Sequence, residues 1–284
     1  MFKKHLLTFS ISSLLLHAET EQPFVIGSLL GQVGNQMFEI AAASALAWDN
    51  GAEAYFPDLS PISNDYRHFF FRCNIQTPSA PIEFKWGYSP FGYKQIPYHP
   101  NMKISGYLQN EQYFSHHRDR LLELFAPHPK DLKYIQKKYS SILNHPFSVS
   151  IHLRYYLREK PDEDSFIQYE REYFAKAMDL FPSDALFVVT SDNLSFAKEQ
   201  IPTEGKNVLF IEKEPYYIDF YLQSLCKHNI ICNSTFSWWS AWLNKNPDKI
   251  VIRPERWLGG FSDIGGPDNW IKIEAKGLQE KNIK

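Results

Sequence analysis

The sequence predicts an α/β protein made of two halves, and three observations carry that expectation. From residue 149 onward, short apolar runs alternate with helical patterns: strands at 149–153, 185–190, 208–211 and 230–232, helices at 170–180, 195–200 and 216–225. Alternation of this kind specifies a parallel sheet with helices covering its faces. The first half opens with the same step, a strand at 24–27 that runs through a glycine turn into a small-residue helix ending near Ala47. With 284 residues, 44% of them hydrophobic, the chain has enough apolar material for one large core or two smaller ones.

The remaining elements follow in order. Residues 56–100 are rich in proline and aromatic side chains and lack periodicity, which predicts surface loops. A short strand is expected at 104–109, a helix from Glu111 to Leu124, and a polar helix from Asp131 to Leu143 that bridges to the second half. This gives an N-terminal unit over 19–144 and a C-terminal, nucleotide-binding unit over 145–284, two Rossmann-like domains facing a cleft. Neither internal repeats nor low-complexity tracts interrupt them.

The most informative stretch is Asn233-Ser234-Thr235-Phe236-Ser237-Trp238-Trp239, which joins an apolar strand to a hydroxyl-rich helix start. A helix start has unpaired backbone N–H groups and the positive end of the helix dipole, so Ser234, Thr235 and Ser237 mark an anion site suited to a diphosphate. The competing reading is a plain helix cap followed by core tryptophans. A second stretch, Val149-Ser150-Ile151-His152-Leu153-Arg154, delivers a histidine and an arginine at a strand's carboxyl end, where open α/β sheets bind ligands. Arg154, with Arg158 four residues on, suits a two-point clamp on phosphate, whereas His152 reads equally as a structural histidine. In the first glycine turn, Gly31 and Gly34 permit close backbone approach and leave Asn35 at the helix start. Those glycines do not form the G-x-G-x-x-G dinucleotide fingerprint.

Taken together, G-x-x-G-N-Q-M-F near the start, H-L-R in the middle and N-S-T-F-S-W-W-x-A-W-L near the end resemble the α-1,2-fucosyltransferases of glycosyltransferase family 11. Thr190-Ser191-Asp192-Asn193 looks like the family's S-D-[DN] strand end, and Gly106-Tyr107-Leu108-Gln109 like its G-Y-[FLW]-Q segment. The chain departs from the family's H-[IV]-R-R-G-D: Arg154 is kept, Tyr155 stands for the second arginine, and Leu157 stands where the aspartate is expected. The resemblance implies a GT-B-like fold and an inverting transfer of L-fucose from GDP-fucose to the 2-hydroxyl of a galactose-terminated glycan, without a metal or other cofactor.

In such a transfer the site must stabilise charge growing on the leaving diphosphate and remove a proton from the acceptor. The first task falls to Arg154, with Arg158 in support, and to the Ser234, Thr235 and Ser237 helix start beside Gly34. The resemblance places Asn35 near the fucose and diphosphate. It makes His152 and Asp192 candidates for the guanosine end, since a carboxylate can accept both guanine N1–H and N2–H. Asp162 is the implied general base, with Glu159, Glu163 and Asp164 as alternatives and a solvated acidic loop as the competing reading. Asp162-Glu163-Asp164 also spells D-x-D, a metal motif of the other main glycosyltransferase fold; three common acids match by chance often. The two N-x-[ST] sequons, at Asn193 and Asn233, are read as incidental.

Thirty basic against thirty-two acidic residues, a net charge of −2, does not predict a nucleic-acid partner. Cys73, Cys226 and Cys232 lack metal-finger spacing and are expected to be free. Lys3-Lys4 followed by an apolar run to Leu16 resembles a secretory signal over 1–18, or a short membrane anchor. The chain would then be exported or membrane-associated, and cytoplasmic if the start is misassigned. Two other function classes compete: a catalytically silent GDP- or carbohydrate-binding relative, which Tyr155 and Leu157 motivate, and a dinucleotide oxidoreductase, which lacks its glycine fingerprint.

Overall fold

A computed structural model describes residues 22–60, 65–88, 92–156, 166–257, 264 and 266–275. The segment over 1–18 lies outside them, as do Arg158 and the acidic run that contains Asp162. Among the described residues, no helix is long and apolar enough to cross a membrane.

Two sheets, parallel throughout, carry the architecture. The first contains β1 (Phe24–Gly27), β2 (Glu53–Tyr55), β3 (Phe84–Gly87) and β4 (Met102–Ser105) in the order β2-β1-β4-β3. The second contains β5 (Ser148–Leu153), β6 (Leu186–Ser191), β7 (Asn207–Phe210), β8 (His228–Ile230), β9 (Val251–Pro254) and β10 (Ile271–Ile273) in the order β10-β9-β8-β5-β6-β7. Every strand of the first sheet precedes residue 144 and every strand of the second follows it. β5 is buried along its whole length although its sequence alternates Ser148, Ser150 and His152 with Val149, Ile151 and Leu153, so both faces of this central strand are covered.

In the second sheet the strand order reverses once, where β5 lies beside β8, and in the first the non-consecutive strands β1 and β4 lie side by side. Ligands of open parallel sheets bind at such switch points, outside the carboxyl ends of the strands. The loops that leave these four strands therefore carry the candidate site.

The helices are α1 (Val33–Asp49), α2 (Arg118–Leu124), α3 (Pro129–Lys138), α4 (Ser140–Leu143), α5 (Arg171–Met178), α6 (Leu194–Gln200), α7 (Tyr216–Leu225) and α8 (Thr235–Leu243). The tryptophans of α8 are core: Trp238, Trp239 and Trp242 are buried, and Phe38 of α1 packs 4.5 Å from Trp238 and 5.1 Å from Trp239, ring centre to ring centre. One hydrophobic cluster runs from β1, α1 and β4 through α7 and α8, so the two sheets share apolar packing across the junction. A second cluster lies beneath α5 and lines β5, β6 and β8.

Several boundaries differ from expectation. The strand expected at 104–109 ends at Ser105, because Gly106 (φ +123°) and Leu108 (φ +48°) turn the chain through left-handed backbone. The helix expected from Glu111 is two 3-10 turns, Glu111–Tyr113 and Ser115–His117, before α2 begins. The polar helix breaks at Tyr139 into α3 and α4, and the strand expected at 230–232 is β8, two residues earlier. Residues 56–100 are not simply surface loops: Phe56, Leu59, Phe69, Phe70 and Ile96 are buried there, and β3 falls within the segment.

Candidate active site

The site forms where the loops after β1, β4, β5 and β8 meet. After β1 the chain passes through Gly31 (φ +72°) to Gln32, the residue before α1. The amides of this loop are held by two carboxylates: Leu29 N–H donates to Asp58 (3.0 Å) and Leu30 N–H to Glu39 (2.7 Å). Glu39 is buried, and desolvation outweighs the Leu30 hydrogen bond, so its carboxyl is pushed up to about 9, with the Asp58 charge adding to the effect.

After β5 comes Arg154. Its Nη1 lies 2.7 Å from Asp192 Oδ2, and its Nη2 reaches across to Gln32 Oε1 at 3.4 Å. Asp192 is placed by the end of β6: the Ser191 hydroxyl donates to Leu153 O (2.7 Å), tying the two strand ends together, and Asn193 caps α6 by accepting Phe196 N–H (3.0 Å). The backbone around Arg154 is fixed by buried Gln168, which donates to Arg154 O (3.3 Å) and accepts Tyr156 N–H (2.6 Å). Tyr155, where a second arginine was expected, donates its N–H to Asp192 (2.9 Å) and turns its ring against Phe196, centre to centre 5.0 Å. The Tyr156 hydroxyl donates to Asn233 O (2.8 Å), bracing the loop after β8.

After β8 the chain enters α8 through Ser234. Neither Ser234 at the start of α8 nor Gln32 at the start of α1 caps its helix with a side chain, and neither helix has an acidic residue in its first turn. The two helix starts touch. A Cβ on Gly34 would lie 2.5 Å from the Thr235 backbone carbon and 2.6 Å from Phe236 N, so only glycine lets α1 approach α8 this closely. Asn35 joins three of the loops: its Oδ1 accepts from Gln109 Nε2 and from the Thr235 hydroxyl, each at 3.0 Å. Two positive helix ends and Arg154 thus converge without a first-turn carboxylate, an arrangement that attracts an anion.

The predicted residues divide. Arg154, Asp192, Asn35, Thr235 and Gly34 come together at the junction, and Ser234 lies at its edge, buried. Gly34 abuts protein backbone there, so its space is taken by α8 rather than left for a ligand. Ser237 does not reach the junction: it is fully buried and its hydroxyl donates back to Ser234 O (3.1 Å), as serines in a first helical turn can do. His152 is not part of the Arg154–Asp192 ion pair. His152 is buried with Nδ1 3.6 Å from Cys232 Sγ and its ring against Phe236, and burial, helped by the Arg154 charge, lowers its pKa to about 3. It is a neutral histidine at ordinary pH, unsuited to act as a cationic clamp. Cys226 and Cys232 are buried and free, with thiols pushed up to about 12 by desolvation, and Cys73 is free as well.

Three glutamines escaped the sequence reading. Gln109 had a signal, the G-Y-L-Q segment, without a role; Gln32 and Gln168 had none, since a lone glutamine in a loop carries no periodicity.

Comparison with known proteins follows the same lines. A model of glycosyl transferase family 11 matches residues 84–260. An alpha-1,2-colitosyltransferase of Escherichia coli is 32% identical over 187 residues, which are 61% of this chain and 63% of that protein. The chain thus spans under two thirds of that relative's length. Galactoside alpha-(1,2)-fucosyltransferase 2 of Oryctolagus cuniculus is 26% identical over 295 residues, covering 88% of this chain and 80% of its own. Among solved structures, fucosyltransferase NodZ from Bradyrhizobium superposes with a TM-score of 0.55 at 14% identity, over 78% of this chain and 92% of that one. The fold is α/β and GT-B-like.

Proposed function

The chain belongs to glycosyl transferase family 11, and on that premise we propose that it moves L-fucose from GDP-fucose to the 2-hydroxyl of a galactoside, with inversion and without a metal. The supporting observation is the meeting of the α1 and α8 starts beside Arg154, where a diphosphate would find a cation, unopposed helix dipoles and backbone N–H groups at once. In this reading the acceptor oxygen attacks the anomeric carbon and the bond from that carbon to the diphosphate oxygen breaks. The charge left on GDP is met by Arg154 and the two helix starts. The acceptor proton passes to a base, for which the sequence offers Asp162; His152, with its pKa near 3, is a poor proton acceptor at neutral pH.

Arg154 must exchange partners in this scheme. In the structure it is paired with Asp192 and reaches Gln32; diphosphate would compete for the same guanidinium. Asp192 would then turn its second oxygen to the guanine edge.

A second reading concerns the sugar only. The relatives' names agree on an α-1,2 linkage but differ between fucosyl and colitosyl transfer, so the linkage is the better supported half of the proposal.

The deciding experiment follows GDP release from GDP-fucose by the purified chain, with and without lactose, in EDTA. Acceptor-dependent release is expected. Arg154→Ala should weaken GDP binding roughly 10- to 100-fold, the equivalent of about 1.5–3 kcal/mol for a charge-assisted contact. Tight GDP binding with no release for any β-galactoside would instead make the chain a silent binding relative, and turnover abolished by EDTA with the melting temperature unchanged would overturn the metal-free mechanism.

A further inference from the structure

We propose that Asp49, His116 and His117 form a binding site for one zinc-class divalent ion, which clips the far end of α1 to the 3-10 turn ahead of α2. Asp49 is the last residue of α1, and His116 and His117 close the turn Ser115–His117, so the donors come from segments more than sixty residues apart in sequence. Both imidazoles present Nε2 to one carboxylate: His117 Nε2 lies 2.7 Å from Asp49 Oδ1, and His116 Nε2 lies 3.1 Å from Oδ1 and 3.0 Å from Oδ2. All three donor atoms fall within 4.8 Å of one another. An ion about 2.0–2.1 Å from imidazole nitrogen and carboxylate oxygen holds its donors about 2.9–3.4 Å apart. The nitrogen–oxygen separations seen need adjust by only a few tenths of an ångström to admit one.

The surroundings favour a cation. Asp49 puts a negative charge at the negative end of the α1 dipole, and α1 has no basic residue in its last turn to offset it. One imidazole is already oriented, since His117 and Trp48 pack in a T-shaped pair with ring centres 5.2 Å apart. Of the nearby cations, Arg120 is stacked on the Trp48 ring at 3.9 Å and Arg118 on the Trp242 ring at 4.4 Å. Two imidazoles and one carboxylate select the borderline ions zinc, nickel and copper over magnesium and calcium, which require oxygen donors. Asp49 and His116 are nearly half exposed, so water can complete the coordination and binding weaker than at a buried four-ligand site is expected.

This site is separate from the transfer reaction. Asn35 and Asp49 are fourteen residue steps apart on α1, about 21 Å along the helix axis. The ion's role is structural, joining α1 to the segment that leads from Gln109 into α2.

The test uses the full chain without a polyhistidine tag, stripped with EDTA and desalted, then titrated calorimetrically with zinc chloride and, separately, magnesium chloride. One zinc equivalent should bind, magnesium should not, and zinc should raise the melting temperature. Asp49→Asn combined with His117→Ala should weaken zinc binding roughly tenfold or more and abolish the thermal shift. If that double variant misfolds, His116→Gln at a half-exposed position carries the same test. Zinc binding equal in wild type and variant, or absent from wild type, overturns the proposal.

Discussion

Asn35 has its carboxamide oxygen occupied twice, by Gln109 Nε2 and the Thr235 hydroxyl. In this arrangement Gln109 presents its amide nitrogen and Thr235 its hydroxyl proton to that oxygen, which leaves the Asn35 nitrogen over Gly31, where a Cβ would come within 2.5 Å of it. Asn35 is thereby an N–H donor in the junction, suited to phosphate or sugar oxygens and unsuited to accept a proton. Gln109 follows Leu108, which turns through φ +48°, a conformation costing about 1–3 kcal/mol for a non-glycine residue. Gln109→Leu removes one of the two locks. Turnover should fall about two- to tenfold, the value of one ordinary hydrogen bond, while GDP affinity stays near wild type because Arg154 and both helix starts are untouched. Steady-state kinetics beside GDP calorimetry separate the two effects, and unchanged kcat would show that Thr235 alone suffices to hold Asn35.

At the scale of elements, the contact between the starts of α1 and α8 carries the geometry. Gly34 meets backbone rather than the movable tip of a side chain, so Gly34→Ala must push one helix away, and overpacking of that kind costs about 1–3 kcal/mol. A lower melting temperature together with weaker GDP binding is expected; calorimetry showing wild-type values for both would mean the helix starts separate freely. The sequence made this junction half legible. Asn233 to Trp239 could be recognised as a strand end feeding a polar helix start, because hydroxyls at that position have a physical use whatever the fold. Which way each hydroxyl faces could not be read, since it depends on helical phase: Thr235 faces Asn35, and Ser237, two residues on, bonds back into its own turn. The regular α/β alternation after residue 149 gave a readable pattern, whereas β2 and β3, three and four residues long in aromatic, proline-rich surroundings, are too short for any period to show. The aromatic side chains of residues 56–100 looked like loop decoration because their partners, α7 among them, lie far along the chain: Phe69 packs on Phe220 and Tyr221.

Across the whole molecule, loops from both sheets meet, and the loop after β1 forms part of the junction through Gln32 and its contact with Arg154. That loop is anchored from below by Glu39, which links the integrity of the junction to pH. The folded carboxyl titrates at about 9 and the unfolded one near 4.5. Between those values the folded protein retains a proton that the unfolded chain has released, so stability falls as pH rises through the window and is flat outside it for this group. The direction is opposite to that of a salt-bridged carboxylate, whose contribution is lost on acidification. Glu39→Gln keeps the shape and the oxygen that accepts Leu30 N–H but cannot ionise. Wild type should therefore lose melting temperature from pH 6 to pH 9 more steeply than Glu39→Gln, and the variant should be the more stable of the two at the alkaline end. Parallel melting curves across that range would mean that Glu39 is ionised in the folded protein, and that the loop tolerates the buried charge through its Leu30 hydrogen bond alone.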